Sequence, residues 1–160
     1  MKKYSYDDIK KGNLFTLGHL RQFTGLSDRT LRNHLANGIL KGEKINGIWH
    51  FSDNQIEDFV NSPTVRPSIL AKNSGIVYDF MIDRNKPCDQ SCIILDLPTA
   101  NREQACEFFC YQINDGNFKD LQFSLDAPKN KQMRIILKGK VNDVMRLIGD
   151  YYKTYQTIDL

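Results

Sequence analysis

Apolar and polar positions recur at two different periods along this chain, and the switches between them outline its elements. Leu17, Leu20 and Phe23 repeat at helical spacing, with Thr16 placed to cap that helix. Gly25 stands where the helix must end, because the residue past a helix C-terminus often takes positive φ. Ser27 then caps a second helix, with Leu31 and Leu35 as its buried stripe and Leu26 packing inward. After Gly38, the segment KGEKINGIWHF predicts two short strands around Asn46-Gly47, a strong hairpin signal. Ser52 or Asp53 caps a third helix whose Ile56, Phe59 and Val60 close a small core.

The pattern then changes. Two prolines with polar neighbours mark residues 63–68 as a linker or sharp turn. Ile69, Ile76, Val77, Phe80 and Met81 predict a helix to about Arg84, weakened in its middle by Asn73-Ser74-Gly75. CIILDL, residues 92–97, fits a buried strand. Thr99 caps a helix through Ile113, with Glu103 near the capping-box position. LQFSLDA and QMRIILKGK, joined by Pro128-Lys129-Asn130, predict an antiparallel pair, and Val141 to Tyr152 a closing amphipathic helix. The expected class is α+β: a winged helix-turn-helix over residues 1–62, the linker, then a small ferredoxin-like β-α-β-β-α domain over 69–160.

Composition narrows this picture mainly by exclusion. With 41% hydrophobic and 26% charged residues, wholesale disorder is excluded. No apolar run approaches the roughly 20 residues of a membrane span, and the N-terminus lacks the apolar core of a signal peptide. A cytoplasmic, non-membrane protein is expected. The net charge of +3 is modest but unevenly placed. Lys10, Lys11, Arg21, Arg29, Arg32, Lys41 and Lys44 face only Asp28 and Glu43 between residues 10 and 50, where all three histidines also fall. That is where a polyanion-binding surface would need the excess.

Opposite Leu31 and Leu35, the second helix carries Arg29, Thr30, Arg32 and Asn33 in its first turns, the end that enters a major groove. Arg can bond guanine O6 and N7 together, and Asn can do the same to adenine N6 and N7. Thr30 and Ser27 suit phosphate contacts at a helix N-terminus. Lys41, Lys44 and His50 on the wing suit phosphates or a minor groove, while Trp49 is expected in the core. The candidate DNA-contacting set is Thr16, Arg21, Ser27, Arg29, Thr30, Arg32, Asn33, Lys41, Lys44, Asn46 and His50.

TLGHLRQFTGLSDRTLRNHLANGIL resembles the N-terminal DNA-binding unit of MerR-type regulators: helix, Thr-Gly turn, Ser, Arg-Thr-Leu-Arg, then a Gly-Ile-Leu exit. By that likeness Arg29, Thr30 and Arg32 contact DNA. The wing, GIWHFS before a short acidic-apolar helix, is closer to excisionase-like winged helices. The likeness spans about forty-five residues. It departs at Arg21, where the family usually has alanine, and at Asn33-His34, where it has an aromatic pair. The long heptad helix by which MerR proteins dimerise is also missing, so their promoter-twisting mechanism is not implied.

Cys88, Cys92, Cys106 and Cys110 form two CxxxC pairs, a longer spacing than zinc knuckles use. They are expected to be reduced, with Cys92 inward from a strand and Cys106 and Cys110 on one buried helical turn. No metal or cofactor is expected. The second half has no histidine and no Gly-rich phosphate loop, so no catalytic residue is assigned there, and Asp96 is expected as a strand-end hydrogen-bonding group. Phe108, Phe109 and Tyr111 are expected in a helix core, while Tyr151, Tyr152 and Tyr155 could line an interface. The expected function is a sequence-specific double-stranded DNA-binding regulator, working as a homodimer. The second half would pair protomers or receive an effector or protein partner. An excisionase-type recombination factor and a protein-interaction adaptor are the alternatives.

Overall fold

Capping chemistry sets the N-terminal half of the structure in place. In this computed structural model residues 15–97, 102–114, 118, 120–126 and 132–155 are described. A two-residue strand, β1 (Phe15–Thr16), runs directly into helix α1 (Leu17–Thr24). The Thr16 hydroxyl accepts the His19 N–H at 3.3 Å, and His19 Nδ1 accepts the Thr16 N–H at 3.0 Å. His19 thus fills the place Glu or Gln usually takes in a reciprocal cap. Gly25 ends the helix at φ 75°, its N–H on the Arg21 carbonyl at 3.1 Å. Buried Thr24 ties this turn to both sides, donating to the Leu20 carbonyl and accepting the Leu26 N–H. Helix α2 (Asp28–Ala36) then starts at Ser27, whose Oγ accepts the Thr30 N–H at 3.1 Å.

The hairpin of β2 (Glu43–Ile45) and β3 (Ile48–Phe51) turns through Asn46 and Gly47, at φ 51° and 80°. Positive φ at both central residues matches the right-handed twist of the strands. The sheet has three strands where two were expected, because β1 pairs with the far side of β3. Two residues are too few for a strand period to show in sequence. Helix α3 (Asp53–Val60) follows, with Ser52 and Gln55 capping each other's N–H groups at 3.2 and 2.9 Å.

Residues 63–68, expected as a linker or sharp turn, hold a turn and the first turn of helix α4 (Arg66–Ile82). Pro67 is tolerated there because the first helical residues have no intrahelical use for an N–H, and Val65 beside it is fully buried. Gly75 does not interrupt the 17-residue helix. Strand β4 (Gln90–Leu97), helix α5 (Arg102–Asn114), strands β5 (Gln122–Asp126) and β6 (Met133–Lys140) and helix α6 (Val141–Tyr155) complete the described chain. The expected cap Thr99 and turn 128–130 lie outside the described residues. Strand β6 is central and antiparallel to both neighbours, so β4 and β5 run the same way two positions apart, connected through α5. The described residues thus form a mixed α+β structure of six helices and two three-stranded antiparallel sheets.

Strand parity decides which side chains of the second sheet meet α5 and α6. Phe123, Leu125, Met133, Ile135, Leu137 and Leu97 turn to the core with Cys106, Phe109, Cys110, Val144 and Leu147. Tyr151 is buried here too, stacked on Phe109 at 5.1 Å and edge-on to Phe108 at 5.4 Å, with Tyr155 edge-on to Phe108. Tyr151, one of three tyrosines that could have lined an interface, is therefore core. Cys92 shares the opposite parity with exposed Ile94 and Asp96, because Ile93, Leu95 and Leu97 take the core side. It does not point inward as expected.

On that opposite face α4 is fastened to β5. Arg66 makes a bidentate ion pair with Asp126, and Ser124 donates a buried hydrogen bond to Asn73. Helix α1 lies against β5 and α5 as well, and the buried apolar residues of both halves form one continuous cluster. Gly42 shows how tightly the hairpin packs: an added Cβ would lie 2.5 Å from the Phe51 ring and 2.8 Å from the His50 carbonyl. Gly149, inside α6, has open space instead. We expect Gly42→Ala to cost about 2 kcal/mol or more and Gly149→Ala to stabilise by about 1 kcal/mol. Urea denaturation of the two variants checks both signs.

Candidate nucleic-acid interface

Burial of Leu31 aims the rest of α2. With Leu31 fully buried and Leu35 half-buried, Arg29, Arg32, Asn33 and Ala36 fall on the opposite side, and all four are exposed. The tight turn at Gly25 holds this helix directly after α1, so the same face begins at an exposed helix N-terminus. There Ser27 donates to the Thr30 hydroxyl at 2.9 Å while capping the Thr30 N–H. Orphan N–H groups at such an end favour an anion. His34 anchors the inner side of α2, its ring edge-on to Phe59 of α3 at 5.5 Å. Its buried Nδ1 has no hydrogen-bond partner.

Asp28 was not in the expected set, yet it modulates the face. Its carboxylate accepts from Arg32 Nε at 2.8 Å, one helical turn on, with both side chains more than half exposed or nearly so (59% and 50%). Such exposed pairs contribute little net stability, so a phosphate or base edge can take Arg32 from Asp28 at small cost. The spacing that pairs them, i and i+4 with opposite charge, is legible in sequence.

The hairpin carries further cations. Lys44 lies over the ring of its cross-strand neighbour Trp49, 5.8 Å from the centroid, and Trp49 stacks on Phe51. Lys41 and the turn residue Asn46 are exposed, as is Arg21 in the last turn of α1. Two members of the expected set are placed differently. His50 is only 6% exposed, because β3 is the central strand and its flanks are taken by Thr16 and Glu43. Thr16 is half-buried, with its hydroxyl committed to the cap of α1. Neither is presented to a groove.

In the second half, Asp96 pairs in register with Arg134 through two hydrogen bonds of 2.7 and 3.0 Å. These bonds hold its carboxyl below the ordinary carboxylate range and give it a structural partner. A cleft of about 800 Å³ at the start of α6 is lined by Asp89, Asp120 and Lys140 among others. Among the described residues no cluster of His, Cys, Asp and Glu could hold a metal ion, and no helix is long and apolar enough to cross a membrane. Cys106 and Cys110 are buried one turn apart, as expected, and Cys88 is exposed. No protein-family model, curated protein or solved structure matches the chain.

His19 supplies a pH test of this scaffold. Burial lowers its pKa from 6.5 to about 4, which keeps Nδ1 unprotonated to accept the Thr16 N–H. Between those values the unfolded chain binds the extra proton, so stability present above pH 6.5 is lost as pH falls toward 4. His19→Gln retains a capping acceptor without a titratable ring. Urea midpoints of wild type should therefore fall more steeply from pH 7 to pH 5 than those of His19→Gln; parallel curves would refute the assignment.

Proposed function

We propose that this chain is a sequence-specific double-stranded DNA-binding protein of the winged helix-turn-helix type, a MerR-like transcriptional regulator without catalytic activity. The observation that carries the reading is the exposed face of Arg29, Arg32 and Asn33 on a short helix, held outward by buried Leu31 and preceded by a tight Gly25 turn. In this reading α2 enters the major groove, where Arg29 and Arg32 bond guanine and Asn33 bonds adenine. Ser27 and the N-terminus of α2 take one phosphate. Lys41, Lys44 and Arg21 take others, which fix register without reading sequence. Five exposed cations against Asp28 and Glu43 favour a polyanion over the acidic and apolar mixture a protein partner would offer. The second half, with β6 between β4 and β5, is read as a ferredoxin-like unit lacking one edge strand. A cytoplasmic location goes with this role.

A second reading, DNA bending of the excisionase type, draws on the hairpin tip. Ile45 and Ile48 face each other across the strands and are 41% and 42% exposed. Apolar side chains at such a position can wedge into a minor groove and bend the duplex. Gel mobility of circularly permuted sites separates the two, since only the bending reading predicts position-dependent mobility.

The test begins with a duplex selected from a random pool by the intact chain. Fluorescence anisotropy should show affinity falling steeply with salt. Arg29→Ala and Asn33→Ala should each cost about 1–3 kcal/mol on the selected duplex and far less on a scrambled one. Lys44→Ala should weaken both duplexes alike. Asp28→Asn should tighten binding a few-fold, on the order of one removed repulsive charge. Absence of binding at low salt, or equal losses on both duplexes, would overturn the specific-reader proposal.

A further inference from the structure

Strand β4 is a sheet edge without the usual safeguards. Its eight residues, Gln90–Leu97, pair with β6, and no other described strand lies along them. Edges are ordinarily kept short, charged or covered, because their free N–H and C=O groups recruit foreign strands. The other described edges follow that rule. β1 has two residues, β2 has three with Glu43 and Lys44 among them, and α1 lies against β5. β4 has no proline and no bulge, and Asp96 is its one charged residue. Its middle is apolar toward both faces. Ile94 is 49% exposed on the outer face, and Ile93 and Leu95 are only half-buried on the inner one.

The ladder shows which groups this edge offers. The Val141 N–H donates to the Asp89 carbonyl at 2.8 Å, one step beyond the end of the β4–β6 register. Residues of an antiparallel pair alternate between hydrogen-bonded and non-hydrogen-bonded positions, and this register is unbroken. Ser91, Ile93, Leu95 and Leu97 therefore bond toward β6, while Gln90, Cys92, Ile94 and Asp96 direct N–H and C=O groups away from it. We propose that this edge pairs with the same edge of a second copy of the chain, antiparallel, about a twofold axis at Ile94. Ile94 then lies on Ile94, Ile93 on Leu95 and Cys92 on Asp96 of the other copy, and the two three-stranded sheets become one. The strand is complementary to itself in this register, as an isologous contact requires. Its apolar run Ile93-Ile94-Leu95 falls on its own copy. On the outer face Lys138 stands beside Cys92 and Arg134 beside Asp96. Each Asp96 thus lies in a row between Arg134 of its own copy and Lys138 of the other. An axis at Asp96 would oppose two carboxylates, one at Leu95 would set Ile94 on Asp96, and one at Ile93 would set Leu95 on Ser91.

This pairing goes beyond the DNA reading and is tested without DNA, so failure of either leaves the other distinguishable. Sedimentation equilibrium of the full chain should show a dimer. By NMR, amide exchange at Cys92, Ile94 and Asp96 should slow as the dimer forms and quicken on dilution. Ile93 and Leu95, bonded to β6, should stay protected at both concentrations. Ile94→Pro removes an outward N–H, which an edge strand tolerates. It should raise the Kd on the order of a hundredfold, two hydrogen bonds at about tenfold each. Ile94→Lys and Ile94→Asp each set like charges directly across the axis and should each weaken association about tenfold. Mixing those two variants should restore it, because opposite charges then face each other. A wild-type chain still monomeric at about 0.1 mM or amide protection unchanged by dilution would overturn the proposal. So would Ile94→Pro dimerising like wild type, or a mixture no better than either variant alone.

Discussion

Attachment of α4 to β5 is the constraint on which the rest of this structure depends. The Arg66–Asp126 ion pair and the Ser124–Asn73 hydrogen bond join residues 60 and 51 positions apart. Both sit where side chains are largely removed from water, so an unmatched partner at either would be costly. Together they lay one helix across the second sheet near its β5 edge. Because α4 follows α3 directly, they also bring α1 alongside β5, where it meets an edge strand that would otherwise be open to foreign pairing.

Consequences for the N-terminal surface follow from that placement. With α1 and α3 committed to the core through Leu20, Ile56 and Phe59, α2 turns Leu31, His34 and Leu35 inward. Its arginines and asparagine face solvent because nothing in the chain needs them elsewhere. The same geometry covers one side of α4 and leaves the other bare. A polar face and an apolar face thus arise from one packing decision.

Much of the local structure was legible because short-range chemistry specified it. Thr16, Ser27 and Ser52 cap helices by accepting N–H groups three residues on, and Gly25 and Asn46-Gly47 turn the chain where positive φ is required. These signals act within four or five residues, so no distant partner overrules them. Most of the candidate surface was legible for the same reason, since a residue opposite a buried leucine at helical spacing is exposed. The exceptions were His50 and Thr16. Whether a strand residue is covered depends on how many neighbours the strand has, and the pairing of β1 with β3 joins segments more than thirty residues apart.

Sequence alone therefore determined the starts of the first three helices, the hairpin turn, the inward residues of α2 and α3 and the charge asymmetry of the first fifty residues. Each rests on periodicity, capping or simple count. Tertiary structure decided what periodicity cannot carry. It sent Tyr151 into an aromatic core, placed Cys92 on the outer side of its strand, and bound Arg66, within the stretch expected as a linker or sharp turn, to β5. It also left Leu70, Tyr78, Met81 and Ile82 uncovered. A helix that is apolar on more than one side does not say which side its own chain will use; only the position of a sheet folded from residues far along the sequence settles that.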